Sequence, residues 1–388
     1  MDNRVYIVKC PNYEQAQEKI AELFSLIGGI EQFAAPGEKI VLKVNLLAAA
    51  EPEEAITTHP AITAAVGKMA KSVGAAPIIA DSPGSGFQYT EGTLKRVYRT
   101  CGMYDAAAEA GIDVNMDTSY QAVSFPDGVL VKHLDAITPV IEADGVFNLC
   151  KLKTHTYMGM TGAVKNHFGI IPGLAKPGYH AKLHDTGRFA DMLLDLSAYV
   201  APRVSIMDAV VGMEGDGPNA GEPRRIGLLL AARNPLALDV VASEIIGLPR
   251  ENNPVLIAAE KRGLYPTRLE EIELVGTSTA DLRIPDYRLP TTFIGKEGLA
   301  NLSWWQQMLK PLFRDGLTVR PRVVREKCIA CGACRDACPV HAITIKSNSK
   351  RYAHIDDRNC IRCYCCHEMC PQDAIELRQG LLYRLVNS

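Results

Sequence analysis

Nine of the twelve cysteines in this 388-residue chain lie between Cys328 and Cys370. They form two copies of the pattern C-x-x-C-x-x-C-x-x-x-C-P, one beginning at Cys328 and the other at Cys360. This spacing is typical of [4Fe-4S] clusters, in which three close cysteines bind one cluster and the fourth binds the neighbouring cluster. Four thiolates also suit zinc, but the repeated third cysteine and the Cys-Pro ending favour iron. The pattern therefore predicts two [4Fe-4S] clusters.

The fourth cysteine of each copy is expected to bind the cluster of the other copy. The predicted ligands of the first cluster are Cys328, Cys331, Cys334 and Cys370, and those of the second are Cys360, Cys363, Cys366 and Cys338. Cys365 is left over, and it and Tyr364 stand where the first copy has Ala333 and Gly332. Such a spare thiol is either a redox-active group or, more commonly, an inert buried residue.

Residues 148–169, NLCKLKTHTYMGMTGAVKNHFG, place lysines and histidines among small residues. Ammonium groups beside glycines, where a ligand can approach the backbone closely, suit a phosphate or a carboxylate. We expect Lys153, His155 and Lys165 to be catalytic and Lys176 to add to the same anion site. The alternative is that these lysines lie on a solvated face.

His155, His167, His180 and His184 lie close together in sequence. One of them is a candidate general acid or base, because imidazole titrates near neutral pH. The alternative is a metal site separate from the clusters. His180 and His184 have the spacing that would align them on one helix face, although Pro177 and Gly178 directly precede them and disfavour a helix.

Residues 1–280 alternate strand-like apolar runs with helical patterns, which predicts an α/β domain built on a largely parallel sheet. The predicted strands are KIVLKVNLL (39–47), APIIAD (76–81), GVFNLCK (145–151) and VSIMDAV (204–210), and the predicted helices run from Pro60 to about Val73 and over residues 238–248.

Polar residues stand where these strands end, and ligands bind at the carboxyl edge of such sheets. The predicted substrate-binding residues are Lys43, Asn45, Asp81, Ser82, Lys151, Asn166 and Asp208. Residues 148–169 fit neither a regular helix nor a regular strand, and we expect them to form one wall of the pocket.

The composition, 47% hydrophobic and 22% charged with a formal net charge of −2, is that of a globular protein and argues against nucleic-acid binding. Neither a signal peptide nor an apolar run of transmembrane length is present, so we expect no transmembrane segment and a cytoplasmic location. The G-x-G-x-x-G and P-loop patterns are absent, so NAD and ATP are not indicated.

Three regions are predicted: an α/β domain over residues 1–284, a connector over 285–319, and a small α+β ferredoxin-like domain over 320–388. The connector contains the amphipathic segment LANLSWWQQMLKPLF (299–313). We expect its tryptophans to pack against one of the two domains, with a membrane surface as the alternative.

Several blocks of the chain resemble the domain-of-unknown-function family 362. They are KVNLL, THPAIT, IIADSPGSG, NLCKLKTHTYMGMTGAVKNHFGIIPG, DAVVGMEGDGPNAGEPRRIG and NPLALDVVASEIIG. The family often has a two-cluster ferredoxin module at the C-terminus, so the resemblance extends over nearly the whole chain. Cys150 stands where the family usually has proline. The resemblance implies a fold and clusters but no defined reaction.

Three functions fit the sequence. In the first, two clusters pass single electrons to a small anionic substrate or cofactor in the α/β domain, which makes the protein a ferredoxin-type oxidoreductase. In the second, the protein is a non-catalytic electron carrier, or a docking module for a redox partner such as a ferredoxin. In the third, it is a maturation factor for a metal-containing cofactor.

Overall fold

The computed structural model describes residues 2–84, 87–173, 175–277, 282–293, 319–347 and 351–380. The tryptophan segment at 299–313 lies outside the described residues, so its predicted packing stays a prediction. Within the described ranges, no helix is long and apolar enough to cross a membrane.

The strands of the described residues are β1 (Arg4–Lys9), β2 (Lys39–Lys43), β3 (Ala76–Ala80), β4 (Asp113–Val114), β5 (Tyr120–Ser124), β6 (His133–Ile137), β7 (Gly145–His155), β8 (Gly159–Thr161), β9 (Val204–Glu214), β10 (Glu222–Ala232), β11 (Glu273–Gly276), β12 (Val319–Val323), β13 (Ile343–Ser347), β14 (Arg351–Ile355) and β15 (Ile375–Gln379).

The α-helices of the described residues are α1 (Ala16–Ile27), α2 (Pro60–Ser72), α3 (Glu91–Thr100), α4 (Met103–Ala110), α5 (Thr138–Ile141), α6 (Ala163–Asn166), α7 (Ala175–Lys182), α8 (Thr186–Val200), α9 (Pro235–Ile245), α10 (Pro254–Lys261), α11 (Ala333–Asp336) and α12 (Cys365–Glu368). Short 3-10 helices cover Tyr13–Gln15, Ile30–Gln32, Pro52–Glu54, His167–Ile170, Arg250–Asn252 and Leu269–Glu271.

The larger domain is built on a nine-stranded sheet in the order β11-β1-β10-β9-β7-β2-β3-β4, with β8 paired to the end of β7. Neighbours from β9 to β4 are parallel, whereas β10 pairs antiparallel with both β1 and β9. The prediction of an α/β domain on a largely parallel sheet is therefore confirmed.

Helices cover both faces of this sheet, and β7 shows how its residues divide between them. Phe147 and Leu149 pack in the core that contains α1 and α2, while Cys150 and Leu152 pack on the opposite face against α9. Because side chains alternate along a strand, Lys151 and Lys153 point to the same face as Phe147 and Leu149.

Residues 148–169 were expected to be irregular, and this prediction was wrong. β7 continues to His155, and β8 folds back on it with Lys153 opposite Thr161 and His155 opposite Gly159. The backbone hydrogen bonds of this hairpin satisfy the strand end, so the lysine-rich sequence forms regular structure. Lys151 and Lys153 consequently lie within a strand.

The strand predicted over residues 39–47 ends earlier, at Lys43. Beyond it, the backbone N–H groups of Asn45 and Leu46 donate to the side chains of Thr58 and Asp81. These side-chain acceptors replace the ladder hydrogen bonds that would have continued the strand.

The C-terminal region contains the two-stranded antiparallel sheets β12–β15 and β13–β14, together with the one-turn helices α11 and α12. This confirms the expected small α+β domain. The two helices occupy equivalent positions in the two cysteine repeats.

Candidate functional site

The cysteines of the C-terminal domain surround two cavities, and each cavity takes residues from both repeats. Cys328, Cys331, Cys334 and Cys370 line the first cavity. Cys338, Cys360, Cys363 and Cys366 line the second, to which the spare Cys365 also contributes. The structure thus brings together the same two crossed sets that the cysteine spacing predicts.

The walls of both cavities fit a [4Fe-4S] cluster. Four thiols line the first cavity and five line the second, each together with mainly apolar side chains. Backbone N–H groups donate to sulfur atoms at equivalent places: Ala342 N to Cys338 Sγ at 3.2 Å, and Ala374 N to Cys370 Sγ at 3.2 Å. Hydrogen bonds of this kind tune the potential of a bound cluster. Among the described residues, no group of three His, Cys, Asp or Glu side chains is placed to hold a single metal ion.

The second repeat packs against the α/β domain. Tyr364 packs into the core beside α8, and the ring of His367 lies with Nε2 3.0 Å from the carbonyl oxygen of Asp216. In the first repeat the counterparts of His367 and Glu368 are Arg335 and Asp336, which are exposed and pair with each other. Tyr364, His367 and Glu368, which are buried where the domains meet, therefore replace Gly332 and the exposed Arg335 and Asp336 of the first repeat.

A small cavity of about 50 Å³ lies where this contact meets the carboxyl edge of the sheet. Loops that follow β2, β3 and β9 contribute to it, as do β7, α6 and α7. The lining residues are Asn45, Leu46, Leu47, Asp81, Ser82, Gly84, Lys153, Thr161, Lys165, Asn166, Phe168, Gly169, Lys176, His180, Pro218 and Glu368.

Lys153 and Lys165 line this cavity, and among the described residues neither has a carboxylate within 4 Å of its ammonium. Lys153 is buried and donates to the carbonyl oxygen of Ile56. Burial lowers the pKa of the Lys153 ammonium well below its ordinary value, and the nearby Lys165 lowers that pKa further. Burial also lowers the pKa of Lys165, against the opposing attraction of Glu368.

Two other lysines are held beside Asp81 and Ser82. Lys43 Nζ lies 2.7 Å from Asp81 Oδ1 in a buried ion pair. Lys176 Nζ donates to the carbonyl oxygen of Ser82 at 2.7 Å and to its hydroxyl at 3.2 Å, and burial lowers the pKa of Lys176 to about 7. Asp81 thus neutralises Lys43, whereas Lys176 has only neutral partners among the described residues.

His155 does not line the cavity, but it contacts Glu368, which does. His155 Nδ1 accepts a hydrogen bond from the Tyr157 backbone N–H at 3.0 Å, so the proton of the neutral ring lies on Nε2. That nitrogen lies 3.5 Å from Glu368 Oε1. Burial lowers the pKa of His155 well below its ordinary value, and therefore the ring is neutral at pH 7.

Lys151 and Asp208 belong to a different buried network. Lys151 Nζ lies 2.8 Å from Asp208 Oδ2 and 3.0 Å from the Tyr13 hydroxyl, which itself donates to Asp208 at 3.0 Å. The Tyr13 ring stacks on His59 at a centroid distance of 3.4 Å. The sequence grouped Lys151 and Asp208 with the other substrate-binding residues, whereas the structure does not place them in the cavity lining.

The other histidines and Cys150 have separate positions. His180 lines the cavity, and His184 follows α7 and is exposed. His167 is buried, and neither ring nitrogen has a hydrogen-bond partner among the described residues. The thiol of Cys150 packs in the core with Sγ 3.6 Å from the carbonyl oxygen of Ile206.

Sequence reasoning missed the contribution of Glu368. A signal was present, because the second cysteine repeat differs from the first at Tyr364, His367 and Glu368, which contact the α/β domain. Thr161, Phe168 and Pro218 were also missed, since nothing in their local sequence distinguishes them from ordinary packing residues.

Two glycines permit the close approaches that shape the cavity. A Cβ on Gly169 would lie 2.0 Å from Asp81 Oδ1 and 2.4 Å from Lys43 Nζ. A Cβ on Gly162 would lie 2.1 Å from Asp239 Oδ1, and Asp239 accepts the backbone N–H groups of Ala163 and Val164 at the start of α6. Gly162 therefore allows Asp239 to fix the helix that presents Lys165.

Two family models match the chain. The model for "Domain of unknown function (DUF362)" matches residues 40–244, more than half of the chain, and that for a "4Fe-4S dicluster domain" matches residues 327–374. A "thylakoid-associated protein" of Synechocystis sp. is 33% identical over 294 residues, which are 75% of this chain and 88% of that protein.

Two solved structures match part of the chain at low identity. The lactate racemase apoprotein from Thermoanaerobacterium thermosaccharolyticum is 13% identical with a TM-score of 0.39, and the match covers 63% of this chain and 57% of that one. A protein from Thermotoga maritima is 11% identical with a TM-score of 0.34, covering 56% and 55%. At these TM-scores, neither structure informs the function. The family match and the 33% identical relative do establish membership: the chain belongs to the DUF362 family and contains a 4Fe-4S dicluster domain at residues 327–374.

Proposed function

We propose that this protein is an iron–sulfur oxidoreductase that passes single electrons, through two [4Fe-4S] clusters, to a small anionic substrate or cofactor in the cavity around Lys153 and Lys165. Cysteines 328, 331, 334 and 370 would hold one cluster, and cysteines 360, 363, 366 and 338 the other. When bound, the clusters supply one-electron transfer.

One observation supports this function over that of a separate electron carrier. Helix α12 begins with Cys365 and Cys366 beside the second cysteine cavity, and its last residue, Glu368, lines the lysine cavity. The two cavities therefore share one helical turn. An electron carrier that only docks to other proteins has no need for a ligand cavity at this position.

The charge of the cavity supports an anionic ligand. Four lysines lie in or beside it (Lys43, Lys153, Lys165 and Lys176), against the two carboxylates Asp81 and Glu368. Burial disfavours each ammonium, and a bound anion would offset that cost. Lys165, with no polar partner among the described residues, is the proposed contact to the anion, and Lys153 and His155 are the proposed supporting groups.

The first cysteine cavity is the proposed entry for electrons from a redox partner such as a ferredoxin. Cys331 is exposed there, and the neighbouring Ile329 is 61% exposed. We further propose a cytoplasmic, reducing location, because cluster assembly requires free thiols. The thylakoid association named for the Synechocystis relative leaves a peripheral membrane contact as the alternative.

The test is anion binding and reoxidation in protein purified without oxygen. Lys165→Met should weaken binding of acetate and inorganic phosphate by at least about tenfold in calorimetry, because it removes one partner of a desolvated charge pair. Protein reduced with dithionite should be reoxidised by small reducible carboxylates, with 2-oxo acids and 2-enoic acids as the panel, and Lys165→Met should slow this step.

Lys182→Met is the matched control, since Lys182 lies on the neighbouring helix α7 and is exposed. It should bind and react as the wild type does. Equal binding and equal reoxidation in wild type and Lys165→Met would remove the cavity from the proposed reaction.

A further inference from the structure

The amide side chains beside the cavity form a chain whose orientation can be deduced. Asn148 Nδ2 donates to the carbonyl oxygen of Ala163 at 3.0 Å, and this oxygen can only accept. Asn148 Oδ1 therefore faces Asn166, whose Nδ2 donates to it at 2.8 Å and also to the carbonyl oxygens of Lys43 and Val44. These backbone acceptors fix both amides in one orientation.

The orientation of Asn166 determines that of Asn45. Asn166 Oδ1 must accept, and Asn45 Nδ2 donates to it at 3.0 Å. Asn45 Oδ1 is then the free end of the chain, and it has no hydrogen-bond partner among the described residues although it is buried from solvent. An amide oxygen can only accept, so it can be satisfied only by a donor.

Asn45 is one of four cavity-lining residues with such an atom. Thr161 Oγ1, His180 Nδ1 and Glu368 Oε1 are likewise buried and form no hydrogen bond among the described residues, although His155 Nε2 lies 3.5 Å from Glu368 Oε1. Thr161 and His180 are each 2% exposed, and Glu368 is 5% exposed. Buried polar atoms are nearly always paired in folded proteins, so four in one small cavity indicate a polar ligand.

We infer that the ligand of this cavity is a small molecule with an anionic group and a separate hydrogen-bond donor, a hydroxyl or an ammonium group, which donates to Asn45 Oδ1 while the Lys165 ammonium binds the anionic group. This inference rests on the proposed anion site and adds the class of its ligand. A 2-hydroxy acid is the product expected when a 2-oxo acid takes up two electrons and two protons, so the donor-bearing ligand corresponds to the product of the proposed reaction. A cavity of about 50 Å³ has room for about four water-sized groups, which suits a short hydroxy- or amino-carboxylate.

The test compares carboxylates of similar size by calorimetry on the full chain purified without oxygen. Glycolate and propionate differ only by a hydroxyl in place of a methyl group, and glycine supplies an ammonium group at the same place. We expect glycolate or glycine to bind at least about tenfold more tightly than propionate, because propionate would leave the Asn45 oxygen unpaired in the bound state.

Two variants identify the residues responsible. Asn45→Ala should reduce the preference for glycolate or glycine over propionate to less than about threefold, because the acceptor is lost. Lys165→Met should weaken the binding of all three ligands by a similar factor and leave the preference intact. Thermal unfolding checks that both variants are folded, and the wild-type ligand series tests the inference without either variant.

The outcomes separate this inference from the proposed function. If glycolate, glycine and propionate bind with equal affinity and Lys165→Met weakens all three, the anion site stands and the donor requirement is wrong. If none of the three binds, both are wrong. If the preference is present but survives Asn45→Ala, the assignment of the acceptor to Asn45 is overturned.

Discussion

Lys153 shows how far a single residue can be understood from the sequence. Its proximity to other cations could be predicted, because the lysines are close in sequence and glycines surround them. Its complete burial could not, because the sequence suggested that β7 ended at residue 151, before this lysine. A lysine within a buried strand contributes its methylene chain to packing, so a truncation to alanine is not neutral for stability.

We expect Lys153→Ala to lose about 2–5 kcal/mol of stability, because it leaves a cavity in the packed sheet face. Lys153→Met should be no less stable than the wild type, since it keeps the volume and removes a desolvated ammonium. Thermal unfolding of the two variants under anaerobic conditions measures this difference. If both variants lose the same stability, the loss comes from the hydrogen bond between Lys153 and Ile56 and not from packing.

The difference in stability between the wild type and Lys153→Met should change with pH in a defined direction. The folded pKa of Lys153 lies below the unfolded value of 10.5, so the unfolded chain binds more protons in the window between them. Wild-type stability therefore rises with pH across that window relative to Lys153→Met. Unfolding midpoints measured from pH 7 to about 9.5 should show the advantage of Lys153→Met shrinking, and a growing advantage would contradict the lowered pKa.

Cys365 and Cys366 are adjacent thiols with different expected roles. Wild-type protein should contain about eight iron and eight sulfide per chain if both cysteine sets hold clusters. Cys366→Ser should lose about half of this iron or more, whereas Cys365→Ser should retain it, because Cys365 is outside the predicted set. Iron and acid-labile sulfide assays distinguish the two. If Cys365→Ser loses iron and Cys366→Ser does not, then Cys365 is the cluster ligand and Cys366 is the spare thiol.

Among the elements, the central strands of the sheet could be predicted, whereas the β7–β8 hairpin and helix α6 could not. Apolar runs located β2, β3, β7 and β9, because buried parallel strands are continuously hydrophobic. The hairpin from β7 to β8 and the single turn of α6 escaped prediction, since each depends on distant partners. α6 needs the carboxylate of Asp239 on α9, 76 residues further along the chain from Ala163.

The contact between Gly162 and Asp239 can be tested by adding one methyl group. We expect Gly162→Ala to displace the Asp239 carboxylate and to cost about 1–3 kcal/mol, the usual range for overpacking. It should also weaken anion binding, because α6 positions Lys165. Gly178→Ala is the control: Gly178 lies in α7 with nothing within 4 Å of an added Cβ. The stability of this control should rise by up to about 1 kcal/mol. If the two variants unfold alike, the contact between Gly162 and Asp239 does not stabilise α6.

For the whole molecule, the cysteine repeats and the alternating strands and helices indicated two different domains. The contact between those domains could not be predicted, because it depends on His367 and Glu368 meeting loops that are distant in the sequence. Part of the predicted connector also packs against the α/β domain. The Tyr287 hydroxyl donates to the Met213 carbonyl oxygen at 2.7 Å, and Phe293 is buried in the same core.

This packing sets the proposed end of the α/β domain. A chain ending after residue 293 should unfold at a higher temperature than one ending after residue 284. The shorter chain loses two aromatic side chains from the core, each of which contributes about 1.5–3 kcal/mol when fully buried. Both chains lack the C-terminal domain, so their difference isolates residues 285–293. Equal unfolding midpoints of the two chains would place the end of the domain at residue 284.

In the proposed function, the shared helix α12 would couple the redox potential of the second cluster to anion binding. An anion beside Lys165 would lie close to the second cysteine set, and its negative charge would oppose the addition of an electron to a cluster held there. By thermodynamic reciprocity, reduction must then weaken anion binding by the same factor by which the anion disfavours reduction. A tenfold weaker affinity of the one-electron-reduced protein corresponds to a midpoint potential about 59 mV lower with saturating anion. Reduction would thereby favour release of an anionic product, and a potentiometric titration with and without glycolate would reveal this coupling.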